Sequence, residues 1–447
     1  MKKIAVIGGG AAGMIAAIRA SELGAKVTVF EKNEKLGKKI YITGKGRCNV
    51  TNDCDAQTFF SHVTGNEKFL YSAYYSFDSW AIQKLLTEEG CPLKVERGNR
   101  VFPVSDHSSD IIRTLAKRME RLGCEIRYRT EVKSLITTEM TAESTDEKDV
   151  KKSKKNAYRY QVKGLVTADG KKHFFDAVIL ATGGLSYPST GSTGDGYKFA
   201  KVLEMNVIEP RPSLVPLETK ETWAHALQGL SLKNVTATLF VDGKKVFSAM
   251  GEMLFTHFGV SGPLILTASS ELAKRPEAKE IKLYIDLKPA LDAVQFDKRL
   301  LREFEEASNK QLKNILPAVY PVRLAETMLE ITGIDGATAA HSVTKKQREL
   351  LVNTTKQLEL TVTGTRDFKE AIITSGGISV KEINPSTMEA KKVKNLYCAG
   401  EVLDLDAHTG GFNLQIAWST GFLAGDSAAL SEEEYEEEKY NGNECCD

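Results

Sequence analysis

The chain lacks the marks of an exported or membrane-bound protein. Its seven cysteines (Cys48, Cys54, Cys91, Cys124, Cys398, Cys445 and Cys446) are scattered, with no C-x-x-C pair and no metal-ligand spacing. That pattern predicts reduced thiols in the cytoplasm and no bound metal. No signal-type apolar region follows the basic start Met1-Lys2-Lys3, because the apolar run there leads straight into glycines. Two uncharged stretches, Met253–Ser270 and Ala407–Gly425, reach about the length of a membrane span. Both are full of Gly, Ser, Thr and amide residues, and the first holds Pro263, so no membrane helix is expected. There are no internal repeats.

Net charge is also nearly missing: the formal total is +1. The balance hides an asymmetry, since Ser431–Asp447 carries eight acids against one Lys, a net of −7 that leaves +8 on the rest of the chain. A basic body is compatible with a polyanionic partner without requiring one. At 447 residues, with 42% hydrophobic and 27% charged residues, the chain suits a soluble enzyme of two or three domains.

What is present is concentrated in the first thirty-one residues. Lys2–Ile7 is a short apolar strand, Gly8-Gly9-Gly10-Ala11-Ala12-Gly13 is a G-x-G-x-x-G turn, and Met14–Leu23 reads as a helix broken by Gly24. Lys26–Phe30 is a second strand with Glu31 at its end. This is a dinucleotide-binding βαβ unit. Gly8 permits the tight turn, Gly10 lets a pyrophosphate approach the backbone, and Gly13 lets helix and strand pack closely. The helix start at Ala11 and Ala12 offers unpaired N–H groups to phosphate. Glu31, 23 residues after Gly8, is placed to accept both ribose hydroxyls.

Lys35–Asn52 is a Gly- and Lys-rich loop in which Lys38, Lys39, Lys45 and Arg47 are candidates for a phosphate or a flavin carbonyl; an ordinary basic surface loop reads the same. Helices are expected over Ser76–Gly90, with Phe77, Trp80, Ala81 and Leu85 inward, and over Asp110–Leu122. Val95–Val104 is a strand pair around Gly98-Asn99. Three strands follow, Glu125–Ile136, Tyr158–Ala168 and Lys172–Leu180, with Asp169-Gly170 as a two-residue hairpin. The connection Thr137–Asn156 is Lys-rich, a mobile tip or a nucleic-acid contact. Asp176–Gly184 (DAVILATGG) is an apolar strand running into a second glycine turn. Pro210–Thr355 has no β-α-β rhythm and no second G-x-G-x-x-G, so it reads as an inserted domain, part β and part helical. Asn395–Glu401 (NLYCAGE) and the TGGFNLQ stretch before a helix at Leu414–Leu430 return to the first domain. That helix points its N-terminus and the amides of Gly411–Leu414 at the pyrimidine edge of a flavin, with Asn413 and Gln415 offering amides.

Together these motifs resemble two-dinucleotide-binding-domain flavoproteins. More narrowly, GKGRCNVTN (Gly44–Asn52), FTHFGVSGP (Phe255–Pro263), TSGGI (Thr374–Ile378) and TGGFNLQ are similar to the bacterial BaiN/YhiN-like flavoprotein family over nearly the whole chain. The resemblance implies FAD at the first site. It implies a Rossmann-type α/β domain at 1–192 and 358–430, a β-barrel-like plus helical insert at 193–357, and an acidic tail at 431–447. It carries over Gly8, Gly10, Gly13, Glu31, Arg47, Cys48, Asn49, Thr182, Gly183, Gly400, Glu401, Asn413 and Gln415 as FAD neighbours. The same stretches add Ala11, Ala12, Lys32, Lys39, Gly46, Val132, Ala181, Gly411 and Leu414. Members act as NAD(P)/FAD-dependent oxidoreductases, some linked to dihydrouridine formation in ribosomal RNA, others to bile-acid metabolism.

Arg47, Cys48 and His257 are the candidates for chemistry. A thiol beside the flavin would serve as redox partner or acid, but no second cysteine stands at dithiol spacing, which favours a packed residue. The vicinal Cys445-Cys446 is similar to the terminal pair of mercuric reductases, whose other dithiol and second nucleotide domain are missing here. His257 is either a general acid lining the insert–flavin cleft or a structural histidine; His107, His408 and Tyr187 are open in the same way. The expected enzyme takes hydride from a transiently bound NAD(P)H and reduces a substrate at that cleft. The substrate is a small molecule or a uridine in ribosomal RNA, toward which the basic Lys148–Lys172 would contribute. The alternative is a non-catalytic FAD-binding redox scaffold.

Overall fold

The structure is a computed structural model and describes residues 1–140 and 158–430. The acidic tail, Cys445-Cys446 and most of the Lys-rich connection lie outside the described residues. The chain forms two compact units, one made of residues 1–212 with the segment from Ile372 onward, the other Ser213–Ala371. The inserted unit therefore runs later at both ends than the expected 193–357. Strand Leu358–Thr365 pairs within its barrel, and Val207–Ser213 instead pairs with Ile373–Ile378 in the first unit.

The first unit is built on a five-stranded parallel sheet. Its strands are β1 (Lys3–Ile7), β2 (Lys26–Phe30), β3 (Glu125–Arg127), β4 (Ala177–Leu180) and β5 (Leu396–Cys398), in the order β5-β4-β1-β2-β3. Val6 pairs with Ile179 on one side and Val29 on the other, and Leu180 pairs with Cys398. Ile4, Ala5, Val6, Val178, Ile179 and Leu180 are fully buried, which is why these strands read as continuous apolar runs rather than alternating ones.

Helix α1 (Ala11–Glu22) follows the first glycine turn, and helix α2 (Phe412–Ala429) closes the unit. They meet backbone to backbone. A Cβ on Gly421 would lie 2.4 Å from the Ala12 carbonyl oxygen, and one on Gly425 would lie 2.4 Å from that of Ala16. Arg19 pins the pair, reaching Asp426 at 2.6 Å with its guanidinium over Phe422. Helix α2 is apolar nearly all round and correspondingly buried.

Several expected elements are divided differently. The Glu125–Ile136 stretch breaks at Arg129, which adopts a left-handed φ of 51°; β3 joins the parallel sheet, while Val132–Glu139 pairs antiparallel with Tyr160–Thr167. Likewise Lys172–Phe174 stays with Tyr160–Thr167, and the chain then crosses into β4. The Ser76–Gly90 helix is present as Ser79–Glu88, capped by Asp78 rather than Ser76, and a short helix, Tyr71–Ser76, precedes it. Its inward face carries Ile82 and Leu86, and Trp80 is exposed. Lys35–Asn52 is not all loop, since it contains a helix at Lys38–Ile42.

The second unit holds a closed six-stranded barrel: Leu217–Thr219, Gly259–Ser261, Lys244–Thr256, Ser231–Val241, Ile281–Asp286 and Leu358–Thr365. Asp242-Gly243 makes the hairpin between its two longest strands. Helices Ala293–Glu306, Val322–Thr332 and Lys345–Lys356 follow. The first starts at Asp292 and the third at Thr344 with full capping boxes.

Candidate functional site

The first glycine turn separates into positions filled by protein and one left open. A Cβ on Gly8 would lie 2.4 Å from the Ala181 carbonyl oxygen, and one on Gly13 would lie 1.9 Å from the Gly8 carbonyl oxygen. These two glycines let the turn close against β4 and α1. A Cβ on Gly10 meets nothing within 4 Å. The first bond within α1 is donated by Met14 to Gly10 (2.9 Å), so Ala11, Ala12 and Gly13 begin the helix with amides that have no intrahelical partner. The open space lies at a positive helix end, the physical requirement for an anion such as a pyrophosphate.

Glu31 is buried and already oriented. One carboxylate oxygen accepts from the Gly9 amide (2.8 Å), the other from the Asn33 amide and side chain (2.8 and 2.7 Å). Lys32 reaches Asp195 at 2.7 Å. Val132 is buried at the start of its strand. On the β4 side, Gly183 adopts φ 71° against Ser192, and the Thr182 hydroxyl is buried without a hydrogen-bond partner.

A polar cluster that the sequence did not single out joins Lys39 to the second glycine turn. The Lys39 ammonium bonds the Glu401 carboxylate and the Ser186 hydroxyl. The same carboxylate accepts from Ser186 (2.6 Å) and from the Thr374 amide (3.0 Å). The Thr374 hydroxyl accepts from the amides of Leu185 and Ser186. Lys39 and Glu401 are thus partners of each other. Ser186 and Thr374 lay in motifs visible in the sequence, but nothing in their spacing revealed the pairing. Gly400, φ 76°, packs on Ala12.

The loop at residues 44–48 is conformationally unusual. Gly44, Lys45, Gly46 and Cys48 all have left-handed φ values, 57°, 59°, 86° and 59°. Strain of this kind, held by its surroundings, is a feature of ligand-binding loops. A Cβ on Gly46 meets nothing, and the side-chain oxygen of Asn49 is buried without a partner. Arg47 differs from expectation: its guanidinium sits over Phe102 and bonds Glu96 and Asp106. Those bonds push its pKa further up. It anchors the loop. Cys48 is fully buried, and burial pushes its thiol up to about 12, which makes it a packed thiol rather than a nucleophile.

The start of α2 also differs. A Cβ on Gly411 (φ 101°) would lie 2.4 Å from the Thr51 carbonyl oxygen, so this glycine admits neighbouring backbone. The Asn413 amide is spent on the Ala407 backbone, accepting at 2.9 Å and donating at 2.7 Å. Gln415 is fully buried and bonds Thr51, Phe77 and Ser419. Both amides hold the turn in shape. What remains for a ligand is the backbone: the first bond within α2 is donated by Gln415 to Gly411, leaving the amides of Phe412, Asn413 and Leu414 without an intrahelical partner.

His257 lies in the second unit, exposed on the turn after Lys244–Thr256, with its ring edge-on to Phe258. His408 donates its backbone N–H to His62, whose ring stacks on Phe412. His107 precedes helix Ser108–Arg121. Tyr187 has a left-handed φ of 52°. Among the described residues no cluster suited to a metal ion occurs, and no helix is long and apolar enough to cross a membrane.

A parallel sheet with two glycine turns at its strand ends, an open amide-lined space and a buried acid after β2 defines an FAD-dependent oxidoreductase of the Rossmann type. The chain belongs to the family described as HI0933-like protein Rossmann domain, whose model matches residues 2–427. It is 32% identical over 96% of its length to a 3-dehydro-bile acid delta(4,6)-reductase of Clostridium scindens, covering 99% of that protein. It is 33% identical over 93% of its length to a ribosomal RNA dihydrouridine synthase of Haemophilus influenzae, covering 96% of that protein. Among solved structures it is similar in fold to the 3-ketosteroid-delta4-(5alpha)-dehydrogenase of Rhodococcus jostii, with TM-score 0.51, 15% identity, and coverage of 96% of this chain and 97% of that one.

Proposed function

We propose that the protein reduces a carbon–carbon double bond conjugated to a carbonyl, and that the bond is the C5–C6 bond of a uridine in ribosomal RNA. When bound, FAD supplies the hydride, which it regains from a transiently bound NAD(P)H. The observation that carries this reading is the set of polar groups left unspent in the first unit. These are the Ala11–Gly13 amides beside the open space at Gly10, the Phe412–Leu414 amides, the Thr182 hydroxyl and the Asn49 oxygen. The Ala11–Gly13 amides would hold the pyrophosphate, Glu31 the ribose, and the start of α2 the flavin edge where negative charge collects on reduction. Gly8, Gly13, Ala181, Gly183 and Gly400 shape the walls, while Lys32, Lys39, Arg47, Cys48, Glu401, Asn413 and Gln415 hold the loops around it.

The relative named for ribosomal RNA supports the uridine. The relative named for a bile acid supports, equally by identity, a second reading in which the substrate is a small conjugated ketone. Mass spectrometry of digested ribosomal RNA from cells with and without the protein decides between them. Loss of a uridine carrying two extra hydrogens, restored by the active protein, supports RNA. An unchanged profile, with NAD(P)H consumed on addition of a conjugated ketone, overturns it in favour of the small molecule.

A further inference from the structure

We propose that a cavity in the second unit binds a phosphate group. The cavity has a volume of 380 Å³ and is lined by Leu291, Gln295, Lys298, Arg299 and Arg302. The last four lie on helix Ala293–Glu306, three and four residues apart, and therefore on one face. Three cations stand together there, and among the described residues no carboxylate lines the cavity. Like charges at this spacing repel one another.

Several cations elsewhere in the unit are paired with acids. Lys282 pairs with Glu359, Lys356 with Asp286 at 2.6 Å, and Arg348 with Asp297 at 2.6 Å. Lys298 and Arg302 have no ion-pair partner among the described residues. Arg299 approaches Glu303 only at 3.8 Å, and its Nε is buried with no hydrogen-bond partner. Lys288 stands in the same field: burial, and then the charge of Arg299, push its ammonium below the ordinary value.

An anion in the cavity would relieve this repulsion. Arginine forks match the tetrahedral oxygens of a phosphate, and Lys298 adds a point charge. The volume exceeds a lone phosphate and falls within the range of small-molecule sites. Gln295 and Leu291 add an amide and an apolar wall, which suits a phosphate ester carried on a nucleotide or along an RNA strand. The inference is independent of the flavin site.

The test is equilibrium titration of the full-length, flavin-loaded protein with inorganic pyrophosphate and with a single-stranded oligouridylate over a range of salt. Lys298→Gln/Arg302→Gln alters exposed side chains only, and Lys244→Gln/Lys245→Gln on the barrel hairpin is the control. At least tenfold weaker pyrophosphate binding in the first variant, with the control unchanged, supports the site and a free phosphate compound as its ligand. Binding of oligouridylate alone, with the salt slope reduced by about 0.7 for each cation removed, supports the site with RNA as the source. Failure of both probes to bind, or an equal loss in the control, overturns the proposal.

Discussion

Gly10→Leu separates cofactor binding from folding. Gly10 has φ −84° and ψ −165°, a conformation open to any residue, and its missing Cβ faces empty space. Without flavin the substitution should be nearly neutral. Losing glycine at a helix N-cap costs about 1 kcal/mol, and the lost freedom of the unfolded chain returns about 0.4–1 kcal/mol. With flavin the picture changes, because the leucine side chain fills the space beside the Ala11–Gly13 amides. FAD present at a hundred times its dissociation constant stabilises the folded state by about 2.7 kcal/mol, or about 4–5 °C in Tm for a unit of this size. Calorimetry of the apo and flavin-saturated forms should therefore show a wild-type gap of that order and none in Gly10→Leu. Gly13→Ala should instead lower the apo Tm, since its Cβ would sit 1.9 Å from the Gly8 carbonyl and overpacking costs about 1–3 kcal/mol. Full flavin absorbance in purified Gly10→Leu, or an apo Tm as low as that of Gly13→Ala, would refute the reasoning.

Cys48, with its thiol raised from 9.0 to about 12, should resist alkylation at pH 8 until the protein is denatured; mass spectrometry showing ready labelling of native protein would contradict its burial. Because the unfolded thiol ionises first, its contribution to stability should be present below pH 9 and be lost between pH 9 and 12. Lys39→Met should destabilise by about 1–3 kcal/mol, between the values for exposed and buried pairs because both partners are about one-fifth exposed. In a double-mutant cycle with Glu401→Gln the losses should not add, and strict additivity would count against the pairing.

The parts of the fold legible in the sequence were those governed by local rules. The G-x-G-x-x-G turn and the Lys26–Phe30 strand with Glu31 at its end depend on a few neighbouring residues. The barrel could be anticipated only as a β-rich insert, because its closure pairs Leu217–Thr219 with Leu358–Thr365 across the whole unit. At the candidate site the purposes of Gly8, Gly10 and Gly13 follow from their motif, but that of Gly411 does not. Gly10 and Gly411 look alike in the sequence, yet one faces open space and the other the backbone of Thr51. Asn413 and Gln415 looked like ligand amides because their type suits a flavin edge; their commitment to Ala407, Thr51 and Phe77 depends on contacts with distant segments. The partners of Arg47 are hidden for the same reason, as Glu96 and Asp106 lie on and beside a distant hairpin.

The packing of Gly421 and Gly425 on Ala12 and Ala16 joins the two ends of the chain, and so sets a schedule for biosynthesis. Between the emergence of α1 from the ribosome and that of α2 stretch some four hundred residues, roughly 20–80 s of translation. Through that interval the Ala12–Ala16 face of α1 lacks the helix that covers it, and β4 lacks β5. The second unit, contiguous in sequence, can complete itself in the meantime. A nascent chain halted just before Phe412 should thus be protected from protease over 213–371 and cleaved readily before residue 212. Equal protection of both regions would show that the first unit closes without its last helix.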